Sequence, residues 1–167
     1  QMFVTVNELD GPFTNFVGYA PTRKTKRPHP IVGDLAAATP SIPNPWQASI
    51  DHARSVEVRT GQGLSFAPNV IQARQDETLK VILKNLDVVP HNWVLIESGS
   101  LAAVGASADK LVSTPDAAHE AYVPAGENVI AHTNVVSPGD EFAIYFHAPS
   151  QPGRYPFVCT FPGHWKA

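Results

Sequence analysis

The sequence is poor in cysteine, methionine and charge, and it contains no long apolar run. Of its 167 residues one is a cysteine, Cys159, and one is a methionine, Met2. A single thiol cannot form a disulfide within the chain, so Cys159 is a small core residue, a reactive thiol or a metal ligand. No stretch approaches the roughly 18 apolar residues of a membrane helix, and we therefore expect no transmembrane segment.

Charge is also scarce, and it has no basic excess. Charged residues make up 16% of the chain against 43% hydrophobic residues, and the net charge is -3. This composition can build a core, which excludes a wholly disordered chain. The slight acidity argues against a nucleic-acid-binding surface.

Proline is abundant and concentrated near the start. Residues 1–55 hold seven of the sixteen prolines, so we interpret them as an extended arm or linker ahead of a folded domain at 56–167. The β-prone residues at 2–6 leave open the alternative that the arm adds a strand to that domain.

Short β-strands separated by turns dominate the rest of the chain. At 79–83 and at 142–146 every second residue is a large apolar one, namely Leu79, Val81 and Leu83 and then Phe142, Ile144 and Phe146. This is the period of a half-buried strand. Turn residues such as Ser137-Pro138-Gly139-Asp140 separate such segments. The pattern predicts an all-β, two-sheet antiparallel Greek-key sandwich, with further strands at 56–60, 65–73, 92–96, 127–133 and 154–159.

One segment breaks the β pattern. Residues 99–121 are rich in alanine and favour a helix that stops before Pro115 and resumes over 116–121. We expect a helical flap inserted between two strands of the sandwich.

The segment Cys159-Thr160-Phe161-Pro162-Gly163-His164 carries the chemistry. It places a thiol and an imidazole five positions apart across a Pro-Gly turn that can bring both to one point. His91, at the start of an apolar strand, is the best third ligand upstream. One thiolate and two imidazoles form the trigonal set of copper electron-transfer sites, although a lone cysteine is more often a buried apolar residue.

Three motifs resemble the azurin and auracyanin branch of the blue copper proteins, the cupredoxins. They are the Cys159–His164 loop, Pro90-His91-Asn92-Trp93-Val94-Leu95, and Val129-Ile130-Ala131-His132-Thr133. They occur in the family's order over about residues 56–167, and the flap at 99–121 matches the helical insertion of that branch.

The resemblance implies a single type 1 copper ion and a set of residues around it. His91, Cys159 and His164 would be the equatorial ligands, and the carbonyl of Pro90 a weak axial oxygen. Asn92 and Thr160 would hydrogen-bond around the thiolate. An apolar electron-transfer patch would comprise Phe161, Pro162 and Trp165.

The resemblance also implies an axial methionine four or five residues after His164. That position lies beyond Ala167, the last residue, and Met2 is at the opposite end of the chain. We therefore expect a fragment that ends just before its axial ligand and that binds copper weakly or is metal-free.

The implied function is electron transfer by a copper site cycling between Cu(II) and Cu(I), in an extracytoplasmic carrier rather than an enzyme. Its partner would be a redox protein or an adjacent redox domain. Three alternatives stay open: a zinc site using the same ligands, a copper domain of a multi-domain oxidoreductase, and nucleophilic catalysis by Cys159 with His164. In-chain copper catalysis is disfavoured, because Val158 and Thr160 flank Cys159 where multicopper enzymes have histidines.

Overall fold

A computed structural model describes residues 43–61, 63–114 and 117–166. Seven strands and one α-helix are present in these ranges. The strands are β1 (Arg54–Gly61), β2 (Ser65–Ala67), β3 (Thr78–Lys84), β4 (Val94–Ile96), β5 (Val129–His132), β6 (Glu141–His147) and β7 (Phe157–Val158). The helix, α1, spans Leu101–Leu111.

The strands form two sheets, which confirms the predicted all-β sandwich. One sheet has the order β2-β1-β3-β6 and the other β5-β4-β7. All pairs are antiparallel except β1 and β3, which run parallel. The chain leaves β1 through its hairpin with β2 and returns on the other side of β1, and this crossover produces the parallel pair.

The alternation predicted for β3 and β6 is confirmed. Leu79, Val81 and Leu83 are buried while their neighbours are half-buried. In the ladder Leu79 lies opposite Phe146 and Val81 lies opposite Ile144. These pairs form one inner face, and the fully buried Trp93, just ahead of β4, packs on Phe146.

Four strands are shorter than predicted. Those predicted at 92–96 and 127–133 are limited to Val94–Ile96 and Val129–His132, and two others are shortened more. The strand predicted at 65–73 ends at Ala67, because Pro68 has no N–H to donate to a ladder. The strand predicted at 154–159 is limited to Phe157–Val158, and its late start follows from Pro156, which likewise cannot donate.

The helical flap lies between β4 and β5, as predicted, but its second part is not a helix. Residues 117–122 form consecutive turns, and residues 115 and 116 lie outside the described ranges. Ala121 and Tyr122 both have φ of 55°, a left-handed conformation that cannot continue an α-helix.

The body of the sandwich includes residues ahead of 56. A 3₁₀ turn at Pro45–Gln47 places Trp46 against the main core. Asn44 is buried and its side-chain amide donates to the carbonyl of His132 at 3.0 Å. The proposed division at residue 55 stays a prediction, and residues 1–42, including the possible strand at 2–6, lie outside the described residues.

Candidate metal centre

Three side chains from two distant segments meet at one end of the sandwich. His91, Cys159 and His164 each offer one ligand atom, and these atoms all lie within 4.8 Å of one another. The Cys159 Sγ is 3.5 Å from the His164 Nδ1. His91 and Cys159 are buried, whereas His164 is half-buried. His164 is therefore the member of the group that reaches the surface.

The backbone around each of the three residues is held by hydrogen bonds. His91 and Val136 exchange two backbone bonds, of 3.1 and 2.7 Å, in an isolated bridge. Cys159 directly follows β7. The chain then turns back through Gly163, at φ of 84°, and the His164 N–H donates to the Phe161 carbonyl at 3.0 Å. A left-handed residue is needed in this turn, and glycine adopts that conformation without strain.

The two nitrogens of His91 have different surroundings. Nε2 lies 3.2 Å from the Asp87 Oδ2. Nδ1 is buried and has no hydrogen-bond partner among the described residues. Because a buried polar atom without a partner is costly, this nitrogen is suited to bind a metal ion.

Burial controls the protonation of the three groups. It raises the pKa of the Cys159 thiol to about 11, against which hydrogen bonds from the backbone of Asn92 and Phe161 act more weakly. Burial lowers the pKa of His91 despite the opposing effect of Asp87, and it lowers the pKa of His164 to about 4, assisted by His91. The imidazoles are therefore neutral and ready to bind metal, while the thiol must lose its proton.

The donor chemistry fits copper. A thiolate and two neutral imidazoles, mostly buried, are the ligands that protein copper sites use for electron transfer. The residues present thus suit the ion that the sequence resemblance implies.

Asn92 and Thr160 connect the segment of His91 to that of Cys159. The Asn92 Oδ1 accepts from the Thr160 N–H at 2.8 Å, and its Nδ2 donates to the Thr160 Oγ1 at 2.9 Å. The same Nδ2 donates to the carbonyl of Ala121 at 2.8 Å. Both side chains are fully buried, so this contact fixes the two ligand segments and the end of the flap to one another.

The three residues expected in an apolar patch differ in exposure. Phe161 is only 6% exposed, and its ring packs between those of Tyr122 and His164. The separations between ring centroids are 5.4 and 5.0 Å. Pro162 and Trp165 are half-buried, and Trp165 lies on α1 against Gly105. Phe161 therefore supports His164 from within, and the role of this set in electron transfer stays a prediction.

Sequence reasoning did not identify Asp87. The available signal was a carboxylate four residues ahead of a proposed ligand histidine, but the two residues lie in a loop, where that spacing has no fixed geometry. Pro90 is buried directly ahead of His91, and its carbonyl as an axial ligand stays a prediction. Met2 lies outside the described residues.

The fold and the site together define a β-sandwich protein with a candidate Cys-His-His metal site. Residues 52–167 match the family described as copper binding proteins, plastocyanin/azurin family. The chain belongs to this family, which confirms the resemblance drawn from its motifs, and copper is the family's metal.

Curated relatives and solved structures agree with this assignment. The chain is 32% identical to Auracyanin-B of Chloroflexus aurantiacus over 69% of its own length and 49% of the relative's. It is 29% identical to azurin of Pseudomonas aeruginosa over 66% of its own length and 77% of that protein's. The solved structure of Auracyanin B superposes with a TM-score of 0.60 at 30% identity, covering 74% of this chain and 88% of that one.

The chain spans about half the length of Auracyanin-B and 64% of Auracyanin-A, a second relative from the same organism. In the part of the chain that the structure describes, no helix has the length and apolar character needed to cross a bilayer.

Proposed function

We propose that the chain is a one-electron carrier whose copper ion is held by His91, Cys159 and His164. The observation that carries this proposal is the meeting of these three ligand atoms within 4.8 Å, with the His91 Nδ1 left unpartnered, in a member of a copper-binding family. Copper, when bound, supplies a Cu(II)/Cu(I) couple.

The protein's part is to hold the ligands in one geometry. The buried Asn92–Thr160 contact and the His91–Val136 bridge fix the ligand segments before metal binds. A fixed site changes little when the oxidation state changes, which favours fast transfer. We further propose that a redox partner meets the site at His164, since it is the half-buried member of the set, and that the protein functions outside the cytoplasm.

An electron carrier is favoured over an enzyme. The described residues contain one group of three candidate ligands, and the remaining contacts of Cys159 are those of a buried thiol whose pKa is raised by burial. A nucleophilic cysteine instead needs a lowered thiol pKa, because the thiolate is the reactive form. The partner is proposed to be a redox protein or an adjacent redox domain.

Copper titration of the metal-free 167-residue chain tests the proposal. We expect one equivalent of Cu(II) to produce an intense visible band from thiolate-to-copper charge transfer, and cyclic voltammetry to show a reversible one-electron wave. Cys159→Ser should lose the band. The proposal fails if the wild-type chain gives no band, and tight retention of zinc with no response to copper would instead support a zinc site.

A further inference from the structure

Asp87 contacts the nitrogen of His91 that is not the candidate ligand atom. Its Oδ2 lies 3.2 Å from the His91 Nε2, and its Oδ1 accepts from the Val88 N–H at 2.6 Å. The His91 side chain is fully buried and that of Asp87 is 10% exposed. The pair is therefore shielded from water, which would otherwise compete for both groups.

The loop that carries Asp87 is fixed by Asn85. The Asn85 Oδ1 accepts from the Thr60 hydroxyl at 2.7 Å and from the Asp87 N–H at 3.0 Å. Its Nδ2 donates at 2.8 Å to the carbonyls of Val89 and Val136. Asn85 thus braces the loop on both sides of Asp87. Val136 also forms the backbone bridge to His91. Asn85 therefore fixes the loop of Asp87 to the same residue that fixes the backbone of His91.

We infer that Asp87 is a positioning residue that holds His91 as the Nε2–H tautomer and leaves the Nδ1 lone pair directed to the metal. An acceptor at Nε2 requires the proton to be on that nitrogen. The other nitrogen, Nδ1, is then unprotonated, and it is the one without a hydrogen-bond partner in the described structure. Partners of this kind set ligand orientation and basicity in metal sites. The inference rests on the proposed function only in naming the metal as the recipient of that lone pair.

A carboxylate is needed at position 87 because two donors, the Val88 N–H and the His91 Nε2–H, require two acceptor oxygens. Asparagine at position 87 has one oxygen and one NH₂ group. If its oxygen accepts from the Val88 N–H, its NH₂ faces the His91 Nε2 and donates to it, which moves the imidazole proton to Nδ1 and blocks the ligand atom. If the amide is flipped, the Val88 N–H loses its acceptor.

The charge of Asp87 has a second effect. A carboxylate on the far nitrogen makes the imidazole a stronger donor, and a stronger donor favours the more highly charged oxidation state of the metal. Asp87→Asn should therefore raise the reduction potential. If the loss of affinity falls on Cu(II) alone, each tenfold loss corresponds to about 59 mV.

The experiment compares Asp87→Asn with wild type and with Glu97→Gln. Glu97 is exposed and follows β4, at the end away from His91, so this control removes one charge without touching the site. ¹⁵N NMR of histidine-labelled, metal-free protein above neutral pH reports the tautomer. We expect the Nε2–H form in wild type and control and a shift to Nδ1–H in Asp87→Asn, with Co(II) affinity lowered about ten- to a hundredfold.

An unchanged tautomer together with a Co(II) affinity within about twofold of wild type would overturn the inference. Asp87→Ser is the second variant if Asp87→Asn fails to fold, because its hydroxyl can still accept from the Val88 N–H but cannot reach His91. Failure of wild type to bind copper would refute the proposed function and leave the tautomer measurement valid.

Discussion

The side-chain amide of Asn92 contacts Thr160 twice, accepting from its N–H at 2.8 Å and donating to its hydroxyl at 2.9 Å. These residues are 68 positions apart in the chain and are both fully buried. Each directly follows a proposed ligand, so one amide sets the separation of His91 and Cys159.

Asn92→Ala should therefore destabilise the metal-free fold strongly. It leaves the Thr160 N–H and the Ala121 carbonyl buried without partners, at a cost of about 3 kcal/mol in the free energy of unfolding. Thr160→Val is the matched control: it removes a single hydroxyl while both backbone groups stay bonded, and it should cost about 1 kcal/mol. Urea unfolding of the two variants measures the difference, and equal losses would show that the backbone bonds contribute little.

Glu77 should make stability depend on acid pH. Its carboxylate accepts from Arg54 at 2.6 Å and from the Arg74 N–H at 2.8 Å, which lowers its pKa to about 2. A carboxyl whose folded-state pKa is depressed stabilises the fold above its unfolded-state pKa and loses this effect as pH falls through the folded value. Glu77→Gln should thus be less stable than wild type at neutral pH. The gap between their free energies of unfolding should narrow as the pH falls below 4.5, the usual pKa of a glutamate, and should close near pH 2.

Thermal melts of both proteins between neutral pH and pH 2 measure this gap. Glu127→Gln, at an exposed carboxylate ahead of β5, is the control and should follow wild type throughout. A Glu77→Gln gap that stays constant over the whole range would contradict the assigned ion pair.

Gly105→Ala should not stabilise α1, although glycine to alanine usually stabilises a helix. A Cβ at this position would overlap the indole ring of Trp165, whose Nε1 donates to Asp109 at 2.8 Å. Glycine to alanine within a helix normally gains about 1 kcal/mol. We expect Gly105→Ala to lose that gain by displacing the ring.

A double-mutant cycle isolates this contact. In a Trp165→Ala background the ring is absent, so Gly105→Ala should recover the gain of about 1 kcal/mol. The same gain in both backgrounds, measured by thermal melts, would show that the ring moves aside freely.

Local patterns were sufficient to predict the parts of this protein in which neighbouring residues determine the structure. The alternation around Val81 and Ile144 depends only on the period of a strand, and the turn at Gly163 only on local backbone chemistry. The candidate ligand set followed from the spacing of Cys159 and His164 and the place of His91 before a strand, and motif resemblance then supported it. The burial of Phe161 was not predictable, since it depends on Tyr122 from the flap. The position of Asp87 likewise depends on Thr60 and Asn85, which meet only in the folded chain.

The exposed apolar side chain nearest to His91 in sequence is Val88, and it should control encounters between molecules. Val88 is 87% exposed and lies in the loop before His91, whose ring is 4.8 Å from that of His164. Val88→Glu places a like charge on both molecules of an encounter pair. The rate of electron self-exchange between oxidised and reduced protein, measured by NMR line broadening, should fall about tenfold at low salt and recover partly at high salt. The copper spectrum should not change, because the Val88 side chain is turned to solvent.

Val70→Glu is the matched control for this variant. Val70 is 66% exposed and lines a cavity with Leu79, at the start of β3, whereas Val88 follows the end of that strand. The same charge at Val70 should leave self-exchange within about twofold of wild type, because it lies away from the face that carries His164. Equal slowing by the two variants would mean that net charge alone governs the encounter, and that electrons do not enter through the His164 face.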